Sequence, residues 1–117
     1  MSIRRVVPDI KSQRLDESRA FYVDFLGMNV GMDMGFIVTF VSPGNPTAQI
    51  SVVRDDDAST LLPNVSVEVT DVDEVHARAV KLRLEIVYPL TDEPWGVRRF
   101  FVEDPNGVVV NVLGHPD

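Results

Sequence analysis

The stretch FFVEDPNGVVVNVL, Phe100 to Leu113, sets two apolar runs on either side of Asp-Pro-Asn-Gly. Proline presets φ for a tight turn, while Asn and Gly tolerate the left-handed region, so the two runs are expected to pair as a β-hairpin. In the second run Val108, Val110 and Val112 share one strand face, and Val109, Asn111 and Leu113 share the other. An amide adds nothing to the packing of a strand otherwise built from Val and Leu. Asn111 is therefore a candidate wall of a site. The parity of the first run stays open: depending on a bulge at the turn, either Phe100 or Phe101 points to the face of Asn111. Arg98 and Arg99 share that ambiguity.

Outward from the hairpin, the chain repeats itself. VSVEV alternates as a half-buried strand does, and DVDE at Asp71 to Glu74 matches a capping box opening a helix to about Arg83. Val72, Val75, Ala79 and Leu82 form the apolar stripe of that helix. Three strand-like runs follow: EIVYPL, VRRFFVE and VVVNVL. The first half has the same order. A short strand near Val7 leads to a helix from about Asp16, a plausible N-cap, to Leu26, with Gly27 placed to end it. On that helix Phe21 and Phe25 share a face. Then come MNVGMDM, FIVTFVS and AQISVV, with the turn SPGNPT before the last run. The polar stretch RDDDASTLLP joins the halves. The expected fold class is α+β. Two β-α-β-β-β modules, about 1–55 and 62–115, form one domain with a curved, cup-shaped mixed sheet and helices on its outer face.

Composition narrows the function classes. Among 117 residues there is no cysteine, which removes disulfides, thiolate nucleophiles and cysteine metal sites. The formal net charge of −7 disfavours nucleic acid and anionic membrane as partners. No apolar run reaches the length of a membrane span, and no export signal opens the sequence, so a cytoplasmic location is expected. Phosphate-cradling glycine motifs and catalytic triad spacings are absent. His76 reads as a boundary residue of the second helix, and His115 as a solvated residue of the tail.

The segments LDESRAFYVDFLGMNV, VSVEVTDVDEV and FFVEDPNGVVVNVL, in register over two modules, resemble the vicinal oxygen chelate superfamily of glyoxalase I, bleomycin resistance proteins and extradiol dioxygenases. The resemblance implies paired modules around a cup. It also implies, in metal-using members, four ligands from the first and fourth strand of each module. Those positions fall on Val7, Gln49, Asn64 and Asn111, with Asp9 two residues along from Val7. Val7 cannot ligate, and the other three offer neutral amides where Zn, Ni or Fe(II) take imidazole or carboxylate. No metal and no other cofactor is therefore expected.

Strand parity gives a positive picture of the cup. Gln49, Ser51, Asn64, Ser66, Glu68 and Asn111 all fall on strand faces turned away from the helices. Trp95, in PWG before the hairpin, is spaced as a ring-stacking Trp of bleomycin resistance proteins is, and Phe36 is its counterpart in the first module. These eight residues are the expected ligand contacts, and none is singled out as catalytic. The function expected is metal-independent binding of a small aromatic or cationic molecule by a homodimer. The alternative is a metal-dependent lyase, isomerase or dioxygenase that recruits Asp9, Glu68 or His115 as ligands.

Overall fold

The alternating apolar pattern of the chain produces eight strands, and its two helical patterns produce two helices. The computed structural model describes residues 2–57 and 60–116. Ala58 and Ser59 of the connecting stretch lie outside the described residues. In chain order the elements are β1 (Ile3–Ser12), α1 (Leu15–Arg19) continued by a π-helical segment (Ala20–Phe25), β2 (Asn29–Asp33), β3 (Ile37–Ser42) and β4 (Asn45–Arg54). Then follow β5 (Val65–Val69), α2 (Val72–Lys81), β6 (Glu85–Asp92), β7 (Arg98–Glu103) and β8 (Val109–Gly114). This is the α+β order β-α-β-β-β written twice. By contacts the chain divides into two units, residues 7–62 and residues 1–6 with 63–117.

The unit of residues 7–62 has the strand order β2-β3-β4-β1. Val38, Phe40 and Val52 are its buried centre, covered by Leu15, Tyr22, Val23 and Met28 from the helical segment and the turn after it. Tyr22 stacks on Phe40 with ring centroids 5.1 Å apart. The helix starts one residue before the expected cap. Leu15 packs on this core and must already be helical, so Arg14 precedes the first turn without a side-chain cap and Asp16 lies inside it. There the acidic side chain still suits the positive end of the helix. Leu26 N–H donates to Phe21 at 3.2 Å, an i to i−5 bond that widens the last turn. Phe21 and Phe25 do share a face, with centroids 5.2 Å apart, but that face is exposed. Gly27 has φ +76°, the left-handed conformation that ends a helix without a Cβ penalty.

The unit of residues 1–6 and 63–117 has the order β1-β5-β8-β7-β6. The parallel pair β5–β8 and the antiparallel pairs β8–β7 and β7–β6 make it a mixed sheet. The start of β1 belongs here: Ser2 N–H donates to Thr70 Oγ1 at 3.0 Å, and Thr70 N–H returns to Ser2 O at 3.0 Å. α2 covers one face through Val72 and Ala79, packed with Val69, Phe100 and Val112. Asp71 caps it as expected, accepting from Glu74 N–H at 3.1 Å. Leu82 does not join the stripe: the helix stops at Lys81 and Leu82 is exposed. In the Asp-Pro-Asn-Gly turn, Asp104 accepts from Val108 and Asn106 N–H at 2.9 and 2.7 Å, and Gly107 takes φ +80°. Those backbone donors, Val108 first, hold the Asp104 carboxyl below the usual range.

Candidate functional site

Because Val110 and Val112 of β8 and Val67 and Val69 of β5 pack under α2, their alternates point to the opposite face. The register builds that face as two rows. Ser66 stands opposite Asn111, Asn111 opposite Phe101, and Phe101 opposite Tyr88. Glu68 stands opposite Leu113, Leu113 opposite Arg99, and Arg99 opposite Thr91. The open parity question is thus resolved: Phe100 enters the helix-side core, and Phe101 and Arg99 join the face of Asn111. Arg98 goes to the helix side, 2.8 Å from Asp73 and 3.0 Å from Asp92.

In the first row, Asn111 is 7% exposed, and its Nδ2 donates to Ser66 Oγ at 3.0 Å. Its Oδ1 is buried and accepts from no donor among the described residues. In the second row, Glu68 binds Arg5 Nε from β1 and lies 3.1 Å from His115 Nδ1. His115 is thus not simply a solvated tail residue. The strand runs through Gly114, which carries the next side chain back to Glu68. Burial raises the Glu68 carboxyl, but the bonds from Arg5 and His115 outweigh it and hold the group below the ordinary glutamate range.

An aromatic box adjoins these rows. The Arg99 guanidinium carbon lies 5.4 Å from the Tyr88 ring centre, 5.2 Å from that of Trp95 and 4.8 Å from that of Phe101. Glu93 closes the box. Its Oε2 accepts from Arg99 Nε at 2.7 Å and from the Tyr88 hydroxyl at 3.0 Å. Trp95 is held between Pro94 and Gly96, whose φ is +89°, and stays 45% exposed.

Of the eight expected contacts, Ser66, Glu68 and Asn111 share this face, and Trp95 edges its aromatic box. Asn64 does not join them: it precedes β5, and its Oδ1 accepts from Val109 N–H at 2.9 Å. That bond clamps the strand start to β8. In the other unit, Gln49 and Ser51 lie away from α1, as parity requires. Ser51 Oγ pairs with Thr39 Oγ1 at 2.7 Å, and Gln49 Nε2 donates to Pro46 O at 2.7 Å. Phe36 sits exposed in the bend before β3. Sequence reasoning overlooked Tyr88, Glu93 and Arg5. Tyr88 and Phe101 were discoverable as cross-strand partners only once the irregular β6–β7 register was known.

One family model, that of the glyoxalase/bleomycin resistance protein/dioxygenase superfamily, matches residues 6–112. The chain belongs to the glyoxalase/bleomycin resistance protein/dioxygenase superfamily. Solved members and neighbours share the fold. A superfamily member from Vibrio splendidus 12B01 matches at 20% identity and TM-score 0.73, over 97% of this chain and 99% of that one. Methylmalonyl-CoA epimerase from Mycobacterium tuberculosis matches at 19% identity and TM-score 0.73, over 98% and 88%. A Mn(II)-bound glyoxalase from Novosphingobium aromaticivorans matches at 20% identity and TM-score 0.66, over 97% of this chain and 38% of that one. No curated protein sequence matches the chain.

A metal, which some superfamily members use, does not fit the residues at the implied positions. Val7 is a buried hydrocarbon, and the Asn64 oxygen is taken by a backbone N–H. Gln49 and Asn111 offer neutral amides, and among the described residues no three His, Asp or Glu side chains converge. Among the described residues no helix is long and apolar enough to cross a membrane.

Proposed function

We propose that this superfamily member binds a small molecule without a metal, holding an aromatic or cationic ligand against the sheet face of Ser66, Glu68, Asn111 and Trp95. The observation that carries the reading is the Asn111 oxygen, buried and without a donor among the described residues. A buried polar group left unpaired costs about 1–3 kcal/mol, and folded proteins keep few of them. A ligand that supplies an N–H or O–H to Asn111 removes that cost. Trp95 offers the ligand a flat, accessible ring, and as the sole Trp of the chain it reports directly on the site. The test is a titration of Trp95 emission with a broad panel of flat aromatic compounds in the presence of a chelator. A saturable response to at least one is expected; silence across the panel would overturn the reading.

The proposed assembly is a homodimer, supported by the exposed Phe21, Phe25 and Leu26 on the outer side of the first helical segment. A monomer at micromolar concentration in sedimentation would contradict it. A metal-dependent lyase, isomerase or dioxygenase is the second reading, and the His115–Glu68 contact is what favours it. That pair is one donor short of the usual catalytic set, and Arg5 already engages the carboxylate. Stoichiometric Zn, Ni, Mn or Fe in the purified protein would move the balance toward it.

A further inference from the structure

We propose that Arg99 sets the ligand class of this face: it fills the aromatic box with the chain's own cation and thereby selects planar anions, such as aromatic carboxylates, over organic cations. The inference rests on the reading of the face as a ligand site.

Three aromatic rings and a carboxylate are the equipment of a site for an organic cation. Here all four groups are engaged by one guanidinium. Its carbon is within 5.4 Å of each ring centre, and both Nε and Nη2 lie 2.7 Å from Glu93 Oε2. A second cation entering the box would have to expel Arg99 from a contact in which its side chain is only 21% exposed. If Arg99 stayed, the entering cation would meet like charge. Either course makes cation binding unfavourable.

The same residue offers an anion something definite. A guanidinium carries five N–H donors. Two of the three nitrogens face Glu93, and the pair of N–H groups on Nη1 has no protein acceptor among the described residues. Trp95, 45% exposed beside them, supplies a surface on which a flat ring can lie. The chain's net charge of −7 does not carry over to this spot, because Arg5 and Arg99 balance Glu68 and Glu93. An aromatic carboxylate can thus place its ring on Trp95 and its oxygens on Nη1 without facing an unpaired negative charge.

The experiment follows Trp95 emission in the full chain with three probes of similar size: benzoate, benzyltrimethylammonium and neutral benzyl alcohol. Wild type is expected to respond saturably to benzoate and at least about tenfold more weakly to the other two, the loss of one charge-assisted contact. Arg99→Gln is expected to weaken benzoate by about tenfold and to gain the cation, because Glu93 and the three rings remain. Glu93→Gln combined with Arg99→Gln removes the unpaired carboxylate as well and is expected to lose both preferences. It also guards against the single variant failing to fold. A wild type that takes the cation or the alcohol as well as benzoate would overturn the role of Arg99 while leaving the ligand site standing. An Arg99→Gln protein that keeps the benzoate preference would do the same. If none of the three probes moves Trp95 in wild type, the reading of the face as a site for small aromatics falls, and this inference with it.

Discussion

Replacing Asn111 by Leu is expected to stabilise the protein while removing the proposed ligand response. The two side chains have the same branching, heavy atom for heavy atom, so the substitution changes polarity more than shape. It removes the buried, unpartnered Oδ1, a relief of about 1–3 kcal/mol. It also removes the Nδ2–Ser66 Oγ bond of 3.0 Å, a loss of about 0.5–1.5 kcal/mol. Ser66 also has a further interaction besides this bond. The net gain is about 1 kcal/mol. Unfolding entropy scales at roughly 2 cal/mol/K per residue, which makes this about 4 °C in Tm for a chain of this size. Urea and thermal melts of wild type and Asn111→Leu measure it, with an unchanged m-value certifying the same unfolding transition. A variant less stable than wild type by 1 kcal/mol or more at constant m would refute the reasoning, because Asn111 would then be a structural residue. So would a variant that binds aromatics as wild type does.

The other predictions concern the frame around the site. Glu68 is held below the ordinary glutamate range when folded, so its stabilising contribution is fully present above that range and is lost as pH falls through the lowered value. Wild type should therefore lose more stability than Glu68→Gln between about pH 5 and pH 2, and parallel acid profiles would contradict this. Asp71→Ala removes the α2 cap and should cost about 1 kcal/mol in a urea melt; no change would mean that the 3.1 Å bond to Glu74 N–H contributes nothing. Gly107→Ala should cost about 1–2 kcal/mol because φ is +80°, although the added Cβ meets only ordinary contact with Glu103. Gly44→Ala, with nothing within 4 Å and no positive φ, should be nearly neutral, and equal costs for the two would remove the backbone explanation.

Period and turn chemistry made the fold legible. VSVEV and VVVNVL alternate with period two, Asp71 and Gly27 mark helix ends, and Asp-Pro-Asn-Gly marks the last hairpin. These are local signals, and each survives in the folded chain. What failed was also local. Asp16 looked like a cap because it is acidic and precedes apolar residues, yet the packing of Leu15 drew the helix start upstream. Leu82 completed a stripe on paper, but it lies past the last helical turn.

The candidate site was legible only in part. Ser66, Glu68 and Asn111 followed from parity, because one apolar strand face fixes the other. The Arg99 box did not, since it depends on which side of β7 faces α2, and a two-residue parity cannot be read across an unseen turn. The register shifts in β6 that bring Tyr88 opposite Phe101 are signalled only by Pro89, which marks an irregular edge strand without fixing where the pairing slips. Asn64 was misplaced by carrying the alternation of VSVEV one residue beyond the strand, where the side chain instead bonds the neighbouring backbone.

The most direct test of the central claim is amide NMR of chelator-treated protein titrated with benzoate. Metal-free binding at the Asn111 face predicts concentration-dependent shifts at Ser66, Arg99, Phe101, Asn111 and Leu113 and at the Trp95 indole, with the exposed side of α2 unmoved. Shifts that appear only after a divalent metal is added back, or that concentrate on α2 and spare Asn111, would contradict it.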